Sequence, residues 1–310
     1  METDSGNHIP ERDGHGQTTD ATVGHVPVLL KEAIDFLAVK RGGTYLDATV
    51  GLGGHSYEIA KRLGAPGHLI GFDKDPAALE RAHEKLKALD EPPQITLIHG
   101  SFAEVAERIA PASLDGLMAD LGVSSLQLGD AARGFSFQAE GPLDMRMNPM
   151  SGDTAEQVVN HLDERELADV IYEFGEERRS RRIARAIVRS RPISTTKQLV
   201  DVISAAARSM KHERIHPATR TFQALRIFVN RELDDLKALL EATPRVLKPG
   251  GRLVAISFHS LEDRIVKDAL RAGKDKYFSV LTKKPVIASE EEIDRNPRSR
   301  SAKMRAAERM

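Results

Sequence analysis

The chain has 310 residues, which corresponds to about two domains or to one large domain with an insertion. Its 45 basic and 46 acidic residues give a net charge of −1, so only a local basic patch could hold a polyanionic partner. With 40% apolar residues the composition is that of a globular protein, and the absence of cysteine excludes disulfides, thiolate nucleophiles, Fe–S clusters and Cys-ligated zinc.

The N-terminal segment, residues 1–22, is polar and lacks the apolar stretch of a signal peptide. We expect it to be a disordered tail. Charged residues interrupt every apolar run before it reaches the roughly 20 residues that a membrane span requires. The sequence therefore predicts a cytoplasmic protein with no membrane partner.

Predicted strands alternate with predicted helices from residue 28 onward. The helices are expected over residues 28–39, 55–63 and 76–89, and the strands over 44–49, 68–73, 95–99 and 114–121. This alternation is typical of βαβ units with right-handed crossovers, and it predicts a parallel, doubly wound sheet.

The alternation stops after the fourth strand and returns near residue 221. Residues 134–217 have a mostly helical pattern with Pro and Gly breaks. A long helix over 221–242, a strand over 252–257, a helix over 261–272 and one or two C-terminal strands are then expected. We predict an α/β domain in two parts, residues 23–133 and 218–310, interrupted by a helical insertion over 134–217.

A glycine-rich turn, Gly51-Leu52-Gly53-Gly54, follows the first predicted strand and precedes a helix. Such a turn lets a ligand approach the backbone and exposes N–H groups at the start of a helix. About 20 residues later the second strand ends in Asp73, where doubly wound folds place the acid that binds ribose hydroxyls. The two features together predict a ribose-bearing cofactor, whereas the glycines alone would also suit an ordinary turn.

Two residues decide which cofactor is favoured. A dinucleotide fingerprint has Gly or Ala at its sixth position beside the pyrophosphate, and this chain has Ser56 there. Asp47, at the end of the first strand, would repel a pyrophosphate but could pair with the amino group of a methionine moiety. The pattern therefore favours S-adenosylmethionine over NAD. A plain turn carboxylate is the alternative for Asp47.

The fourth predicted strand ends in Asp120. In a methyltransferase, this strand end faces both the transferred methyl group and the acceptor atom. An exocyclic amine on a base is a poor nucleophile until hydrogen-bond acceptors hold its N–H groups. Asp120 and nearby backbone carbonyls could be those acceptors, and a helix-capping role is the alternative for Asp120.

Several long segments make the chain resemble one known family. They are Asp120-Leu-Gly-Val-Ser-Ser125, Arg133-Gly-Phe-Ser-Phe137, Gly141-Pro-Leu-Asp-Met-Arg-Met147, His216-Pro-Ala-Thr-Arg-Thr-Phe-Gln-Ala-Leu-Arg-Ile227 and Ile256-Ser-Phe-His-Ser-Leu-Glu-Asp-Arg264. With them the chain resembles the RsmH (MraW) family over nearly everything from residue 25 to residue 302.

The resemblance implies a Rossmann-like, class I S-adenosylmethionine-dependent methyltransferase with an inserted helical domain for substrate recognition. The implied reaction is methylation of the N4 amine of a decoding-centre (P-site) cytidine in 16S rRNA. The implied partner is small-subunit rRNA in an assembled or nearly assembled small ribosomal subunit. We also count a second copy of the chain, in a homodimer, among the candidate partners.

The family's cofactor contacts transfer to this sequence position by position. They fall on Gly53, Gly54, His55, Asp73, Phe102, Asp120 and Gln127. The chain departs from the usual family pattern beside Gln127, at Leu126 and Gly129. No metal site is expected, because the histidines are scattered and form no ligand cluster.

Basic residues supply candidate contacts to the RNA. Seven arginines and no acid lie between Arg178 and Arg191, and on a helix Arg178 and Arg182 would be available to phosphates. A solvated helix face is the alternative interpretation. A second basic patch, over residues 295–309, is a candidate for lining the same cleft.

Other polar residues are candidates for holding the target base, which must leave its helix to be methylated. They are Asp144, Arg146, Arg226, Asn230, Ser257, Phe258 and His259. His259 is also a candidate catalytic proton acceptor beside Asp120, with a structural role as the alternative. Asp144 could instead pair with Arg146.

Two other classes of protein share part of this pattern. An NAD-dependent dehydrogenase would use the glycine turn and Asp73, but it would leave the arginine-rich segment unexplained. A non-catalytic RNA-binding protein would use the basic segments, but it would have no need for a cofactor site.

Overall fold

The computed structural model describes residues 27–207 and 216–310. The predicted tail over residues 1–22 lies outside the described residues. The helices are α1 (Leu30–Leu37), α2 (Gly54–Leu63), α3 (Pro76–Lys87), α4 (Val105–Arg108), α5 (Ser125–Gly129), α6 (Ala155–His161), α7 (Glu164–Gly175), α8 (Ser180–Arg189), α9 (Thr196–Ala207), α10 (Ala218–Asn230), α11 (Glu232–Val246), α12 (Ser260–Ala272) and α13 (Glu290–Arg295). The strands are β1 (Thr44–Asp47), β2 (His68–Asp73), β3 (Gln94–His99), β4 (Leu114–Asp120), β5 (Leu247–Ser257), β6 (Phe278–Val280) and β7 (Lys303–Arg309).

The strands of the described chain form one seven-stranded sheet in the order β3-β2-β1-β4-β5-β7-β6. Neighbouring strands from β3 to β5 are parallel, whereas β7 runs antiparallel to both β5 and β6. The predicted doubly wound α/β fold is therefore confirmed. Its strand order reverses between β1 and β4, and ligands of open α/β sheets bind at such a point, beyond the carboxyl ends of the strands.

Successive residues of a strand face opposite sides of the sheet, and both sides of this sheet are covered by helices. Leu117 of β4 packs in the cluster that contains Leu236 of α11, while Met118 packs in the cluster that contains Leu37 of α1. Burying a leucine or methionine side chain contributes about 1.5 to 3 kcal/mol. The central strands are thus held from two sides, which fixes the strand ends that surround the candidate site.

The segment between β4 and α10 forms helices α6 to α9, as the sequence predicted. Their apolar residues form a separate cluster that includes Leu167, Ile183 and Leu199. Helix α10 adds Phe222 and Leu225 to this cluster, so the helical layer continues past residue 217. The division of the chain into separate domains stays a prediction.

The long helix predicted over residues 221–242 is two helices, α10 and α11. The break lies at Arg231, which has φ 53° in the left-handed region. Non-glycine residues rarely adopt this conformation, and nothing in the local sequence indicates it. Because of the break, Arg226 before it comes within hydrogen-bond distance of Glu232 after it.

Candidate cofactor and acceptor site

A cavity of about 330 Å³ lies at the carboxyl ends of the parallel strands. Residues that follow β1 to β4 form one side of its wall, and residues from α10 to α12 and from the C-terminal segment form the other. On the strand side these residues include Ala48–Leu52, Asp73, Lys74, Phe102 and Asp120–Ser125. On the opposite side they include Arg226, Glu232, Leu236, Phe258, Glu262, Arg298 and Ser301. The cavity is therefore bounded both by the strand ends and by residues that come later in the chain, from α10 onward.

Six of the seven predicted cofactor residues line this cavity. They are Gly54, His55, Asp73, Phe102, Asp120 and Gln127. The seventh, Gly53, is not part of the lining. It adopts φ 73° in the turn, and a Cβ atom there would lie 3.1 Å from the Cβ of Ala82 on α3. Gly53 therefore shapes the turn, because a side chain would be strained by the backbone and crowded by α3.

Asp73, at the end of β2, accepts two backbone hydrogen bonds inside the strand-end turns. Its Oδ2 accepts from the N–H of Gly51 at 2.7 Å, and its Oδ1 accepts from the N–H of Asp75 at 2.8 Å. Burial raises the pKa of the Asp73 carboxyl to about 6, although these two hydrogen bonds act in the opposite direction. A carboxylate has about four acceptor sites, so both oxygens can still accept from ribose hydroxyls.

Asp47 lies beneath the glycine turn and does not line the cavity. Its side chain is 1% exposed, with Oδ2 accepting from the Ser56 hydroxyl at 2.6 Å and Oδ1 accepting from the N–H of Thr49 at 3.1 Å. The prediction that Asp47 pairs with a methionine amino group is therefore wrong, and the turn-carboxylate alternative holds. The same contact explains Ser56, whose hydroxyl anchors the first turn of α2 to β1.

Asp120, at the end of β4, presents a carboxyl oxygen that has no partner in the described part of the chain. Its N–H donates to Thr49 Oγ1 at 2.6 Å, and its Oδ2 lies 3.5 Å from His55 Nδ1. Oδ1 is buried and makes no hydrogen bond to the described residues. Burial, and after it the negative charges of Asp47 and Glu262, raise the pKa of Asp120 well above its usual range.

An unpartnered buried oxygen of this kind costs about 1 to 3 kcal/mol until a ligand satisfies it. A ligand with positive charge or N–H donors would do so, because it would stabilise the ionised carboxylate. S-adenosylmethionine carries a sulfonium, an ammonium and ribose hydroxyls. The acceptors Asp73 and Asp120 therefore fit this cofactor, and a pyrophosphate beside them would be repelled.

Gln127 lines the cavity, but its amide is committed to the protein. Its Nε2 donates to Asp75 Oδ2 at 3.1 Å, and its Oε1 accepts from the N–H of Ser124 at 3.0 Å. Arg133 donates to the same Asp75 oxygen at 2.8 Å. This network fixes α5 against the end of β2, so Gln127 positions a wall of the cavity.

Asn230 and Ser257 are buried outside the cavity lining, and their hydrogen bonds are made to the backbone. Asn230 Oδ1 accepts from the N–H of Met147 at 2.7 Å, and its Nδ2 donates to the carbonyl of Met145 at 2.8 Å. Ser257 Oγ donates to the carbonyl of Lys303 at 3.1 Å. Their polar atoms hold the fold together, and the expectation that these two side chains bind the substrate stays a prediction.

Asp144 and Arg146 form an ion pair with each other and do not line the cavity. Arg146 donates to the two carboxylate oxygens from Nε at 2.9 Å and from an Nη at 2.8 Å. This geometry supports the alternative interpretation of the sequence, in which Asp144 pairs with Arg146. Both groups are neutralised by the pairing, and their contact with the substrate stays a prediction.

His259 caps helix α12 and is not part of the cavity lining. Its Nδ1 accepts from the N–H of Glu262 at 3.5 Å, and its Nε2 lies 3.2 Å from Glu262 Oε1. This capping geometry supports the structural alternative, although the buried Nε2 makes no hydrogen bond to the described residues, and the catalytic role of His259 stays a prediction. The preceding residue, Phe258, does line the cavity and is available to stack on a base.

Arg226 also lines the cavity, as Phe258 does, and it is paired there. Its Nε and an Nη donate to the two oxygens of Glu232, at 2.8 and 2.9 Å. Arg178 and Arg182 are exposed beside and on α8, outside the cavity lining. Arg182 lines a shallow groove between α8 and α9 together with Arg185 and Arg189.

Polar residues of the cavity wall that sequence reasoning missed include Thr49, Glu232 and Glu262. The position of Thr49 could have indicated a site residue, since it lies between the end of β1 and the glycine turn. Glu262 carried a weaker signal, as the fourth residue of the capping segment that begins at His259. Glu232 carried none, because its place depends on the unpredicted break at Arg231.

The parallel sheet with an antiparallel strand inserted beside β5, the glycine turn and the acid after β2 define a Rossmann-like, S-adenosylmethionine-dependent methyltransferase. The chain belongs to the MraW methylase family, whose model matches residues 22–310. This assignment decides against the dehydrogenase and the non-catalytic RNA-binding protein.

Two relatives are highly similar to this chain, and both are named ribosomal RNA small subunit methyltransferase H. The one from Koribacter versatilis is 71% identical over 293 residues, covering 92% of this chain and 94% of the relative. The one from Acidobacterium capsulatum is 65% identical over 291 residues, covering 92% and 98%.

Solved structures of more distant proteins also align with the chain. A putative rRNA-methylase from Clostridium thermocellum aligns with a TM-score of 0.49 and 15% identity, over 92% of this chain and all of that one. A putative methyltransferase from Streptococcus mutans, crystallised with SAH, aligns with a TM-score of 0.44 and 13% identity over the same shares. Within residues 27–207 and 216–310, none of the helices has the length and apolar character needed to cross a membrane.

Proposed function

We propose that this protein methylates 16S rRNA of the small ribosomal subunit, at the N4 amine of a decoding-centre (P-site) cytidine. The family assignment and the names of the two relatives support a small-subunit rRNA substrate. The observation that carries the chemistry is the buried Asp120 Oδ1, which has no partner among the described residues and belongs to a residue that lines the same cavity as the glycine turn and Phe258.

The strand side of the cavity would hold the cofactor. Asp73 would accept hydrogen bonds from the ribose hydroxyls, and Gly54 and His55 would border the methionine part at the start of α2. When bound, S-adenosylmethionine supplies an electrophilic methyl group on a positively charged sulfur. The carboxylates of Asp73 and Asp120 favour a cation in this cavity, since opposite charges attract strongly where water is excluded.

The role of Asp120 is to make the acceptor amine reactive. The lone pair of a cytosine N4 is delocalised into the ring, so the amine needs an acceptor that orients its N–H groups. In this proposal Asp120 Oδ1 accepts one N–H hydrogen bond while the methyl group moves from sulfur to nitrogen, the S–C bond breaking and its electron pair staying on the sulfur of S-adenosylhomocysteine. The same oxygen then takes the proton that the methylated nitrogen loses. A carboxyl with a raised pKa suits this task, because it is a stronger base than an ordinary aspartate.

The opposite wall would hold the base. Phe258 offers an aromatic face, and Arg226 paired with Glu232 contributes to the same cavity lining without adding net charge. A base can reach this position only after leaving its helix, which is how enzymes that modify bases gain access to them. The exposed arginines of α8 would bind phosphates of the surrounding rRNA, in an assembled or nearly assembled small subunit. A homodimer stays a prediction.

The deciding experiment maps methylation in rRNA from cells that lack the protein, before and after complementation. We expect one cytosine in 16S rRNA to lose its N4 methyl group and to regain it with the wild-type gene but not with Asp120→Ala. In vitro, purified small subunits from the deletion strain should be better substrates than naked 16S rRNA. Loss of a methyl group from another base type, or from large-subunit rRNA, would overturn the proposal.

A further inference from the structure

The cavity wall contains three cationic side chains, and two of them are paired with carboxylates. Lys74 Nζ lies 2.5 Å from Asp235 Oδ2, and Arg226 binds Glu232 through two hydrogen bonds. The third cation is Arg298, which lies in the short turn Pro297–Ser301. Across the described residues, Arg298 has no carboxylate within 4.0 Å.

Arg298 makes one hydrogen bond across the mouth of the cavity, to a neutral group. One of its Nη atoms donates to the hydroxyl of Ser125, at the start of α5. The two residues are 173 positions apart, and both line the cavity. A guanidinium has five N–H donors, so the contact with Ser125 orients the group and leaves most of its donors for a ligand.

The surroundings of Arg298 are partly dry but contain no neutralising acid among the described residues. Burial lowers the pKa of its guanidinium from the ordinary value, and no carboxylate of the described chain counteracts that effect. Arg298 nevertheless keeps an exposed side toward solvent. It is thus at the rim of the cavity, and an anion can reach it from outside.

The distribution of charge indicates which anion belongs there. Asp73, Asp120 and Glu262 make the inner wall acidic, so an anion is disfavoured inside and favoured at the rim. When a base of a polynucleotide enters a cavity, the phosphates on either side of that nucleotide stay outside. Arginine suits such a phosphate, because its planar fork can donate two parallel hydrogen bonds to it.

We propose that Arg298 binds a phosphate flanking the target nucleotide, and that Ser125 positions its guanidinium for this contact. The inference rests on the proposed RNA substrate. It adds a binding contact from the C-terminal segment to the acceptor side of the cavity. The competing anion is the carboxylate of the cofactor itself, and the test separates the two.

The test uses the full-length protein saturated with S-adenosylhomocysteine, and it compares cytidine with cytidine 3′,5′-bisphosphate by calorimetry. We expect the wild-type protein to bind the bisphosphate at least about tenfold more tightly, the scale of one charge-assisted hydrogen bond. In Arg298→Gln this ratio should fall to about one. Arg298→Lys should retain only part of it, because lysine lacks the two-pronged geometry.

Arg295→Gln is the matched control. Arg295 is an exposed arginine of the same basic patch, it pairs with Glu291 on α13, and it does not line the cavity. The ratio of its affinity for cytidine 3′,5′-bisphosphate to its affinity for cytidine should equal that of the wild type. An unchanged ratio in Arg298→Gln would overturn the proposal, and so would a loss of S-adenosylhomocysteine affinity in that variant, which would assign Arg298 to the cofactor carboxylate.

A second measurement tests the phosphate contact of Arg298 independently of which base the protein methylates. The same ratio is measured with uridine and uridine 3′,5′-bisphosphate, and kcat/KM on small subunits is followed against salt concentration. Weak binding of both cytidine ligands relative to the uridine ligands would contradict the proposed target base. The role of Arg298 would still be judged by its phosphate ratio and by a salt slope reduced by about 0.7.

Discussion

Asp120 Oδ2 lies 3.5 Å from His55 Nδ1, so the end of β4 and the first turn of α2 meet at one carboxylate. This contact directs one oxygen of Asp120 toward the protein and leaves Oδ1 without a partner in the described chain. The carboxylate is therefore held in place by one oxygen and can act through the other. A loop carboxylate without such an anchor would have to be ordered by the substrate first.

Removing Asp120 should reduce chemistry more than binding. In Asp120→Ala we expect the rate of methyl transfer to fall about a hundredfold or more, because an orienting acceptor and proton acceptor is removed. The rate is measured in single turnover at saturating S-adenosylmethionine, with rRNA binding followed in parallel. Asp120→Asn keeps one acceptor oxygen, and its rate of methyl transfer should lie between those of the wild type and Asp120→Ala. A wild-type rate in the alanine variant would transfer the role to backbone carbonyls of residues 121–125.

Asp73 should govern affinity for the cofactor. Asp73→Asn keeps the size of the side chain and one oxygen for the turn, but it removes the charge that ribose hydroxyls would bind. We expect S-adenosylhomocysteine affinity to fall by about 1.5 to 3 kcal/mol in calorimetry. Asp90→Asn, at an exposed position after α3, is the control and should bind like the wild type. Equal affinities in all three proteins would remove Asp73 from the cofactor site.

Cofactor affinity should depend on pH through Asp73. Burial raises the pKa of this carboxyl to about 6, so a growing fraction is protonated as the pH falls below that value. Ribose hydroxyls donate to the ionised form, and binding must then displace a proton. We expect the affinity for S-adenosylhomocysteine to be constant above about pH 7 and to fall by up to about tenfold per unit below pH 6. Titrations of folded Asp73→Asn should lack this decline. A wild-type affinity that rose on acidification would contradict the prediction that protonation of Asp73 weakens binding.

The exposed arginines near α8 should act on the rRNA and not on the cofactor. In the double variant Arg178→Gln/Arg182→Gln, we expect weaker binding to small subunits and a smaller logarithmic salt slope. The reduction should be about 0.7 to 0.9 for each phosphate that the protein no longer neutralises. The control replaces Arg81 and Lys87, two exposed cations of α3, by glutamine. If both double variants change binding equally, α8 is only a solvated face.

Strand ends are predictable from the sequence because the local apolar pattern and its flanking turns agree with the geometry of a parallel sheet. Strand β2, His68–Asp73, is predicted with its observed bounds, since its apolar residues lie between a glycine turn and a helix that starts with Pro76. Parallel strands bring their carboxyl ends to one edge of the sheet. The order of strands and helices along the chain is therefore enough to place Asp73 and Asp120 in one site.

The acceptor side is predicted less well, because residue type does not show whether hydrogen-bonding capacity is already used. Asn230 could read a base edge in principle, but its amide binds the backbone of Met145 and Met147, more than 80 positions away. The pairing of Arg226 with Glu232 depends on the left-handed conformation of Arg231, which no neighbouring residue requires. Such relationships appear only when distant segments are assembled.

The position of β7 has a consequence for synthesis of the protein. The last strand of the chain lies inside the sheet, between β5 and β6, and the cavity wall runs in sequence from Pro27 to Ser301. During translation, strands β1 to β4 and the glycine turn emerge well before the segments that build the opposite wall. A nascent chain that ended at Ala302 would leave β5 with an open edge and β6 without a neighbour. We therefore expect β5 and β6 to gain their shared neighbour only when β7 has been made, after every residue of the cavity wall.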